Sequence, residues 1–459
     1  MSIILSQSCY DDKEVSDAIN GFFKRFHVVS ALKSSNAYKE KGFAVSLLFQ
    51  YLFRLIFSHQ SMYMDSKTGK SMRDFSSDTA YRFQNAIHIN WINFTTKVAA
   101  TIIKKDFFPA TSNDRVNALI IDDSVFGRNR SKQVELLAKI FDHAHHRYLN
   151  GFRMLTLGWT DGNSFLPING VLLSSENPKT LINKAKQVDK RSAGYKRRVL
   201  SQTKGTDAML ELLKQAKQER IPADYVLFDS WFSSPASLLA VKKIGYDVIA
   251  MIKKTPKMRF GYNDRRMSLP EIFKASKKRR GRSRYLLSVT VDVEKNGNII
   301  PAKVVFVRNR NKRNEYLCLI STNTELSEDE IIRIYGKRWK IEVFFKVCKS
   351  YLGLTKECRS LSYDALTAHM SIVFTRYMML SVQNRYTEDP CSLGELFVYF
   401  CNELSDITFN ESLALIMTLF KQFLEENIEV DESLLEELVD RFIAMLPSGI
   451  QRKVCQIAA

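Results

Sequence analysis

The stretch YGKRWKIEVFFKVCKSYLG, residues 335–353, places polar side chains at helical spacing inside an otherwise apolar segment. Upstream, Ser327 and Glu330 have the spacing of a helix capping box, in which each side chain satisfies a free backbone N–H group. Downstream, Gly353 can adopt the left-handed conformation that ends many helices. The sequence therefore predicts a single helix from about residue 328 to residue 352.

The polar residues of this helix form one stripe. At about 100° per residue, Arg338, Glu342 and Lys349 fall on the same side as Tyr335, while the other sides are mostly aromatic or aliphatic. Water therefore reaches little of the helix. A buried carboxylate or guanidinium needs an ion pair, hydrogen bonds or a metal ion, so the stripe predicts a partner elsewhere in the chain.

Composition narrows the class of protein. The 459 residues are enough for two or three domains, and the formal net charge of +19 favours a polyanionic partner such as nucleic acid. The longest apolar stretch, residues 43–57, is interrupted by Gln50 and Arg54 and is too short for a membrane span. Seven scattered cysteines indicate reduced thiols, and the N-terminus lacks a signal-peptide pattern, so a cytoplasmic location is expected.

Two aspartates follow apolar strand patterns. Asp122 closes VNALIID and Asp229 closes DYVLFD, and α/β sheets place their chemistry at the carboxyl ends of strands. If the strands are parallel neighbours, their ends lie about 4.8 Å apart, and two carboxylates there repel each other unless a cation intervenes. With Glu342 they would suit two Mg²⁺ or Mn²⁺ ions that activate an attacking oxygen and stabilise a leaving one. Asp123 competes with Asp122 for this role.

The order of patterns between residues 115 and 252 predicts a mixed α/β layer. Two strands flank the hairpin signal TDGN, in which Asp161 is explained as a turn former, and helix, strand, helix and strand follow. Residues 253–284 are strongly basic, and three strand patterns joined in part by KNGN follow them. A β-rich insertion with a basic lobe is predicted here.

A family resemblance rests on these residues. The spacing of Tyr335, Arg338, Glu342 and Lys349 resembles the YREK motif of bacterial transposases of the insertion sequence four family. The DDS at 122–124 and LFDSWF at 227–232 resemble the regions of that family's two catalytic aspartates. The resemblance covers about residues 115–352, and the YREK motif is its specific part.

The resemblance implies a ribonuclease H-like, mixed-sheet catalytic core with a β-rich insertion, flanked by α-helical terminal regions. Five segments are predicted: a helical DNA-binding region (1–110), the first part of the core (111–252), the basic insertion (253–322), the second part of the core (323–359), and a helical C-terminal region suited to dimer contacts (360–459). Within the first segment, residues 71–94 predict either a DNA-reading helix or a packing helix.

The implied function is cut-and-paste DNA transposition. Asp122, Asp229 and Glu342 would be catalytic and hold two Mg²⁺ ions, which Mn²⁺ would replace, and Tyr335, Arg338 and Lys349 would grip phosphates. The partners would be double-stranded DNA, as terminal inverted repeats and as target, and a second copy of the chain. A bacterial, nucleoid-associated location follows, with no membrane partner.

Other basic residues are further DNA-binding candidates. Arg128 and Arg130 directly follow the first aspartate, and the insertion carries Lys277, Lys278, Arg279 and Arg280. The three histidines of FDHAHHR, residues 141–147, do not have structural zinc spacing and favour an exposed or DNA-facing segment.

Two alternatives remain open. The chain could be a catalytically silent, transposase-derived DNA-binding protein, or a metal-dependent nuclease without strand transfer. Family members that excise through a DNA hairpin use an aromatic wedge in the insertion, yet all four tryptophans lie outside it. Phe260 or Tyr262 would have to substitute.

Overall fold

The computed structural model describes residues 18–386, apart from residues 40, 58–61, 64, 66–74, 113–114, 144, 281–282, 310–311 and 313–314, together with residues 393, 420, 438 and 441–445. The described residues fall into two compact units, one drawn from residues 1–25, 54–71 and 389–459, and the other from residues 26–53 and 72–388. All candidate site residues belong to the second unit. Most of the predicted C-terminal region lies outside the described residues.

Short helices precede the sheet. They are α1 (Val28–Lys33), α2 (Val45–Arg54), α3 (Ser77–Gln84) and α4 (Trp91–Ile102), and α4 continues as a π-helical turn, Ile103–Phe107. The side chain of Asn90 accepts a hydrogen bond from the backbone N–H of Asn93 and so caps α4. In α3, Tyr81 is exposed whereas Gln84 is buried, so the two interpretations of this segment are not separated.

The strands β1 to β6 and the helices between them form the first half of the core. Their bounds are β1 (Ala118–Gly127), β2 (Ala138–Asp142), β3 (Arg147–Thr160), β4 (Phe165–Leu173), α5 (Ala193–Ser201), α6 (Gly205–Gln218), β5 (Tyr225–Phe228), α7 (Pro235–Ile244) and β6 (Asp247–Ile252). The predicted hairpin is confirmed: Asp161 Oδ1 accepts the backbone N–H groups of Asn163 and Ser164, and Gly162 has φ +94°.

The pairing of these strands gives the core its topology. The order β4-β3-β1-β5-β6 combines parallel pairs β1/β5 and β5/β6 with antiparallel pairs β1/β3 and β3/β4. Helices α5, α6 and α7 connect the later strands. This arrangement confirms the predicted ribonuclease H-like, mixed-sheet core.

The segment after β6 extends the same sheet. It contains β7 (Arg259–Tyr262), β8 (Arg265–Ser268), α8 (Leu269–Ala275), β9 (Tyr285–Lys295), β10 (Asn298–Arg308) and β11 (Tyr316–Ser321). Strand β11 pairs antiparallel with β6, and β10, β9, β7 and β8 follow in order. The β-rich insertion is thus confirmed, and Asn296 and Gly297 form its predicted turn with positive φ angles.

The single helix predicted over residues 328–352 is wrong in one respect, because two helices occupy this range. They are α9 (Glu328–Gly336), which begins with the predicted capping box, and α10 (Trp339–Ser350). Between them the backbone N–H of Arg338 bonds to Tyr335 and that of Ile341 bonds to Arg338, three residues back instead of four. Gly336 has low helix propensity, and the adjacent Lys337 side chain leaves to bind the carbonyls of Val116 and Asp161.

Helix α11 (Tyr363–Tyr386) is buried over most of its length. Arg376, with no exposed surface, pairs with Glu357 and donates to the carbonyls of Leu52 and Phe53. His369 is a core histidine as predicted, 2% exposed. Of the helices in the described part of the chain, none combines the length and the apolar character that crossing a membrane requires.

Candidate active site

Asp122 and Asp229 lie at the same end of two neighbouring parallel strands. Ile121 pairs with Phe228 at the end of the β1/β5 ladder; Asp122 is the next residue of β1, and Asp229 is the first residue after β5. The sequence left open whether these two strands are parallel neighbours, and the structure shows that they are. The prediction that Asp122 ends its strand is wrong, because β1 continues to Gly127 against its antiparallel neighbour β3. Only β5, the parallel neighbour of β1, ends at this level, at Phe228.

Alternation along β1 sends Asp122 and Asp123 to different partners. Asp123 forms an ion pair with Arg153 on β3. Asp122 accepts a hydrogen bond from the backbone N–H of Asp123 at 2.8 Å and another from the guanidinium of Arg338, which lies in the link between α9 and α10. Geometry therefore favours Asp122 over Asp123 for the predicted catalytic role, because Asp122 is the aspartate that contacts the polar stripe.

The carboxyl group of Asp122 is electrostatically unusual. Its pKa rises to about 7, chiefly because the group is buried, and the nearby Asp229 charge raises it further, against the lowering effect of Arg338. The lowering effect of the Arg338 guanidinium on the pKa of Asp122 is thus smaller than the raising effect of burial. Additional positive charge would favour the ionised form.

Arg338 bridges two of the three predicted catalytic carboxylates. Its Nη1 donates to Asp122 Oδ2 at 2.6 Å and its Nη2 donates to Glu342 Oε1 at 2.7 Å. Burial raises the pKa of Tyr335 to about 12, and its hydroxyl makes no hydrogen bond of good geometry with any described group, although Arg338 lies close by. Two residues of the polar stripe, Arg338 and Glu342, are therefore ion-paired with each other, and Arg338 also pairs with Asp122.

Lys349 extends the stripe to the cleft. Its Nζ donates to the hydroxyl of Ser124, two residues after Asp122, at 2.7 Å, and burial lowers its pKa. Lys349, Asp122 and Asp229 all line one cleft of about 1270 Å³. Tyr335, Arg338 and Glu342 are not among the lining residues of that cleft. The structure thus divides the predicted site between the cleft and the helix behind Asp122.

The cleft is lined by many basic side chains. Its basic lining residues are Arg128, Arg130, Arg153, Lys253, Lys349, Lys356 and Arg359. Arg128 donates to the carbonyl of Thr355 at 3.0 Å and stacks on Phe126, whereas Arg130 is exposed. A concave surface with this charge matches a phosphate backbone.

The structure adds cleft residues that sequence analysis missed. Lys253 directly follows β6, the strand next to the one that Asp229 follows, so its strand-end position was a usable signal. Trp231 is 50% exposed, donates its backbone N–H to Asp229, and has Arg153 and Lys253 over its ring. Lys356 and Arg359 follow the left-handed Gly353, and nothing in their local pattern indicated the cleft.

The predicted basic residues of the insertion lie elsewhere. Lys277, Lys278, Arg279 and Arg280 are exposed but do not line the cleft. Lys278 lies over Phe273, and Arg279 lies over Tyr285. Phe260 is fully buried, so the suggestion that it acts as an exposed wedge is wrong, because its ring belongs to the core of the insertion.

The histidine segment reaches the cleft. His143 and His145 line it together with Asp142, and His145 Nδ1 lies 2.8 Å from Asp142 Oδ2. This agrees with an exposed segment facing the cleft. Within the described ranges, no three His, Cys, Asp or Glu side chains form a group that could hold a metal ion.

The donor set of Asp122, Asp229 and Glu342 nevertheless fits a hard cation. All three supply carboxylate oxygens, which Mg²⁺ and Mn²⁺ prefer, and a bound cation would favour the charged form of the buried Asp122 carboxyl, whose pKa burial raises. Their geometry accommodates the Arg338 guanidinium instead, which lies between Asp122 and Glu342. The carboxylate oxygens are thus suitable metal ligands, but in this structure Asp122 and Glu342 are arranged around the Arg338 guanidinium.

Comparison with known proteins adds one family. A family model described as DDE superfamily endonuclease matches residues 57–298 of this chain. The matched residues include both aspartates and end before Glu342. No curated protein matches the chain.

Proposed function

The chain belongs to the DDE superfamily endonucleases, and from this premise we propose that it is a transposase of the insertion sequence four family. Endonucleases of this superfamily act on DNA with divalent metal ions, typically Mg²⁺. The finer assignment to cut-and-paste transposition draws its support from the YREK spacing of Tyr335, Arg338, Glu342 and Lys349. It also draws support from the insertion between β6 and α9.

One observation carries the proposal: Asp122 and Asp229 lie together at the end of the parallel β1/β5 ladder and line a basic cleft. In the proposed mechanism these aspartates and Glu342 hold two Mg²⁺ ions, or Mn²⁺ in their place. The ions would activate the attacking oxygen and stabilise the leaving oxygen during phosphodiester cleavage. In the proposed reaction, water attacks first and frees a 3′-hydroxyl, which afterwards attacks target DNA.

The proposed DNA path follows the basic cleft. Lys349, held by Ser124, and the exposed Arg130 would contact phosphates beside the two aspartates. Trp231 presents a half-exposed aromatic face at the same place, suited to stacking on a base. The exposed run at residues 277–280 would contact DNA farther from the scissile bond. A synaptic dimer that holds two inverted repeats, and location at the bacterial nucleoid, complete the proposal.

We expect two basic residues that line the cleft, Lys356 and Arg359, to contribute to DNA affinity through phosphate contacts. Replacing either by Gln should weaken binding to any duplex sequence and reduce the slope of log K against log salt by about 1. The measurement is a salt titration of duplex binding. Lys214→Gln is the matched control, because Lys214 is exposed on α6 and outside the cleft lining. Equal slopes for all variants would place the DNA elsewhere.

The test of the proposed function is cleavage and joining of a labelled DNA end with Mg²⁺ or Mn²⁺. The wild type should nick the end and transfer the 3′-hydroxyl, and Asp229→Ala and Glu342→Ala should abolish both reactions. The control is Glu211→Gln, a change at an exposed carboxylate on α6.

The other outcomes separate the alternatives. Cleavage without joining would identify a metal-dependent nuclease that lacks strand transfer. Binding without cleavage would identify a silent DNA-binding protein. If the alanine variants cut as well as the wild type, the active-site assignment is wrong.

A further inference from the structure

The proposed function leaves one contact unexplained, the pairing of the Arg338 guanidinium with two carboxylates. The guanidinium makes two short charge-assisted hydrogen bonds, to Asp122 and to Glu342, which are supplied by β1 and α10. In the proposed mechanism these carboxylates are metal ligands. A side chain assigned to phosphate therefore occupies the oxygens assigned to the metal.

We propose that Arg338 is the internal counter-ion of the metal ligands, and that it and the metal occupy Asp122 and Glu342 alternately. Arg338 is thus a positioning residue, which holds the two carboxylates before the metal enters and then leaves for a DNA phosphate. This inference rests on the proposed function, because it takes Asp122 and Glu342 to be metal ligands.

Burial explains why a counter-ion is needed. The side chain of Asp122 is 14% exposed and that of Arg338 is 18% exposed. Charges removed from water must be paired, and Asp229 adds a second negative charge close to Asp122. Without metal, the charges of Asp122 and Asp229 repel each other, and the Arg338 guanidinium offsets that repulsion at Asp122.

The form of the guanidinium suits this role. Its planar fork offers two separate donors, one for each carboxylate, whereas a lysine ammonium is a single point charge. Asp122 Oδ2 and Glu342 Oε1 are the engaged oxygens. A metal that needs the same oxygens must displace the guanidinium.

Displacement couples metal binding to DNA binding. The freed guanidinium carries its charge next to a cleft lined with Asp122, Asp229 and Lys349, where a phosphate would receive it. DNA that draws Arg338 away leaves the carboxylates open to metal, and metal that expels Arg338 provides a DNA contact. By linkage each ligand must strengthen the other by the same factor.

The experiment measures Mn²⁺ binding to the full chain without DNA, by electron paramagnetic resonance of the free ion. Arg338→Gln should bind Mn²⁺ about 5-fold to 150-fold more tightly than wild type, the usual range for coupled sites. A permanent structural ion pair predicts the reverse, since removing Arg338 would disorder the ligands. Lys349→Gln is the charge-matched control, because Lys349 is bound to Ser124 and not to a carboxylate ligand.

A second readout tests the linkage. A duplex with an already cleaved end should tighten Mn²⁺ binding to wild type, and Arg338→Gln should lose that effect. If Arg338→Gln does not fold, Arg338→Lys decides. An ammonium lacks the planar fork that engages the two carboxylates separately, so this variant should also bind Mn²⁺ more tightly than wild type.

The outcomes distinguish the inference from the proposed function. Mn²⁺ binding that is lost in Asp229→Ala and Glu342→Ala but unchanged or weaker in the Arg338 variants overturns only the counter-ion role. Tightening equal to that of Lys349→Gln overturns it as well, because that result reflects net charge alone. Mn²⁺ binding that survives Asp229→Ala and Glu342→Ala overturns the proposed metal site and this inference with it.

Discussion

Replacing Asp122 by Asn should reduce metal-dependent DNA cleavage by about 10³-fold or more, corresponding to several kcal/mol of lost transition-state stabilisation. The amide keeps the size of the side chain and can still accept from Arg338, but it removes a negatively charged metal ligand. Single-turnover cleavage of a labelled DNA end measures the loss. Asp123→Asn is the matched comparison on the same strand, since Asp123 pairs with Arg153. A larger loss in Asp123→Asn would transfer the catalytic role to that residue.

The same Asp122→Asn variant should be more stable than wild type above neutral pH. The pKa of Asp122 is about 7 in the folded protein against 3.8 for an unperturbed aspartate, so between these values the folded state holds more protons than the unfolded state. Wild-type stability therefore falls as pH rises through this window, whereas the amide does not titrate. The difference should reach roughly 2–4 kcal/mol by pH 8.

Thermal unfolding of both proteins at pH 5 and pH 8 measures this difference. A gain for Asp122→Asn that grows with pH, together with lost cleavage, would show that the site gives up folding stability for its chemistry. A difference that does not change with pH would contradict the raised pKa.

Replacing Arg198 by Met should destabilise the second unit by roughly 3–5 kcal/mol, because it leaves the buried Glu135 without its counter-ion and leaves Asp364 with Arg197 alone. Arg198 is 3% exposed and pairs with Glu135 at 2.7 Å and Asp364 at 2.6 Å. These contacts join α5, the segment after β1 and α11. The measurement is the chemical denaturation midpoint with its slope.

Lys214→Met is the control for Arg198→Met. Lys214 pairs with Glu211 at 2.6 Å, but both side chains are about half exposed, so water and salt screen the pair. Its midpoint should move little. A similar shift in both variants would mean that burial does not decide the contribution of an ion pair in this protein.

Local patterns were sufficient for much of the fold. Strand runs and turn residues predicted β1, β5, β6 and the insertion strands, because apolar alternation and residues such as Gly162 act within a few residues. The capping box at Ser327 correctly placed the start of α9. The break between α9 and α10 escaped prediction, since it depends on Lys337 reaching carbonyls more than 170 residues away in the chain.

The sequence by itself determined which residue types carry the chemistry, because two strand-adjacent aspartates and a polar stripe on an apolar helix are visible without any contact. Only the tertiary structure decided their pairing. Strand alternation separates Asp122 from Asp123, and packing of α10 against β1 brings Arg338 between Asp122 and Glu342. The tertiary structure also brings Lys253, Lys356 and Arg359 together around one cleft. The physical reason is that charge interactions depend on distance in space, which spacing along the chain does not specify.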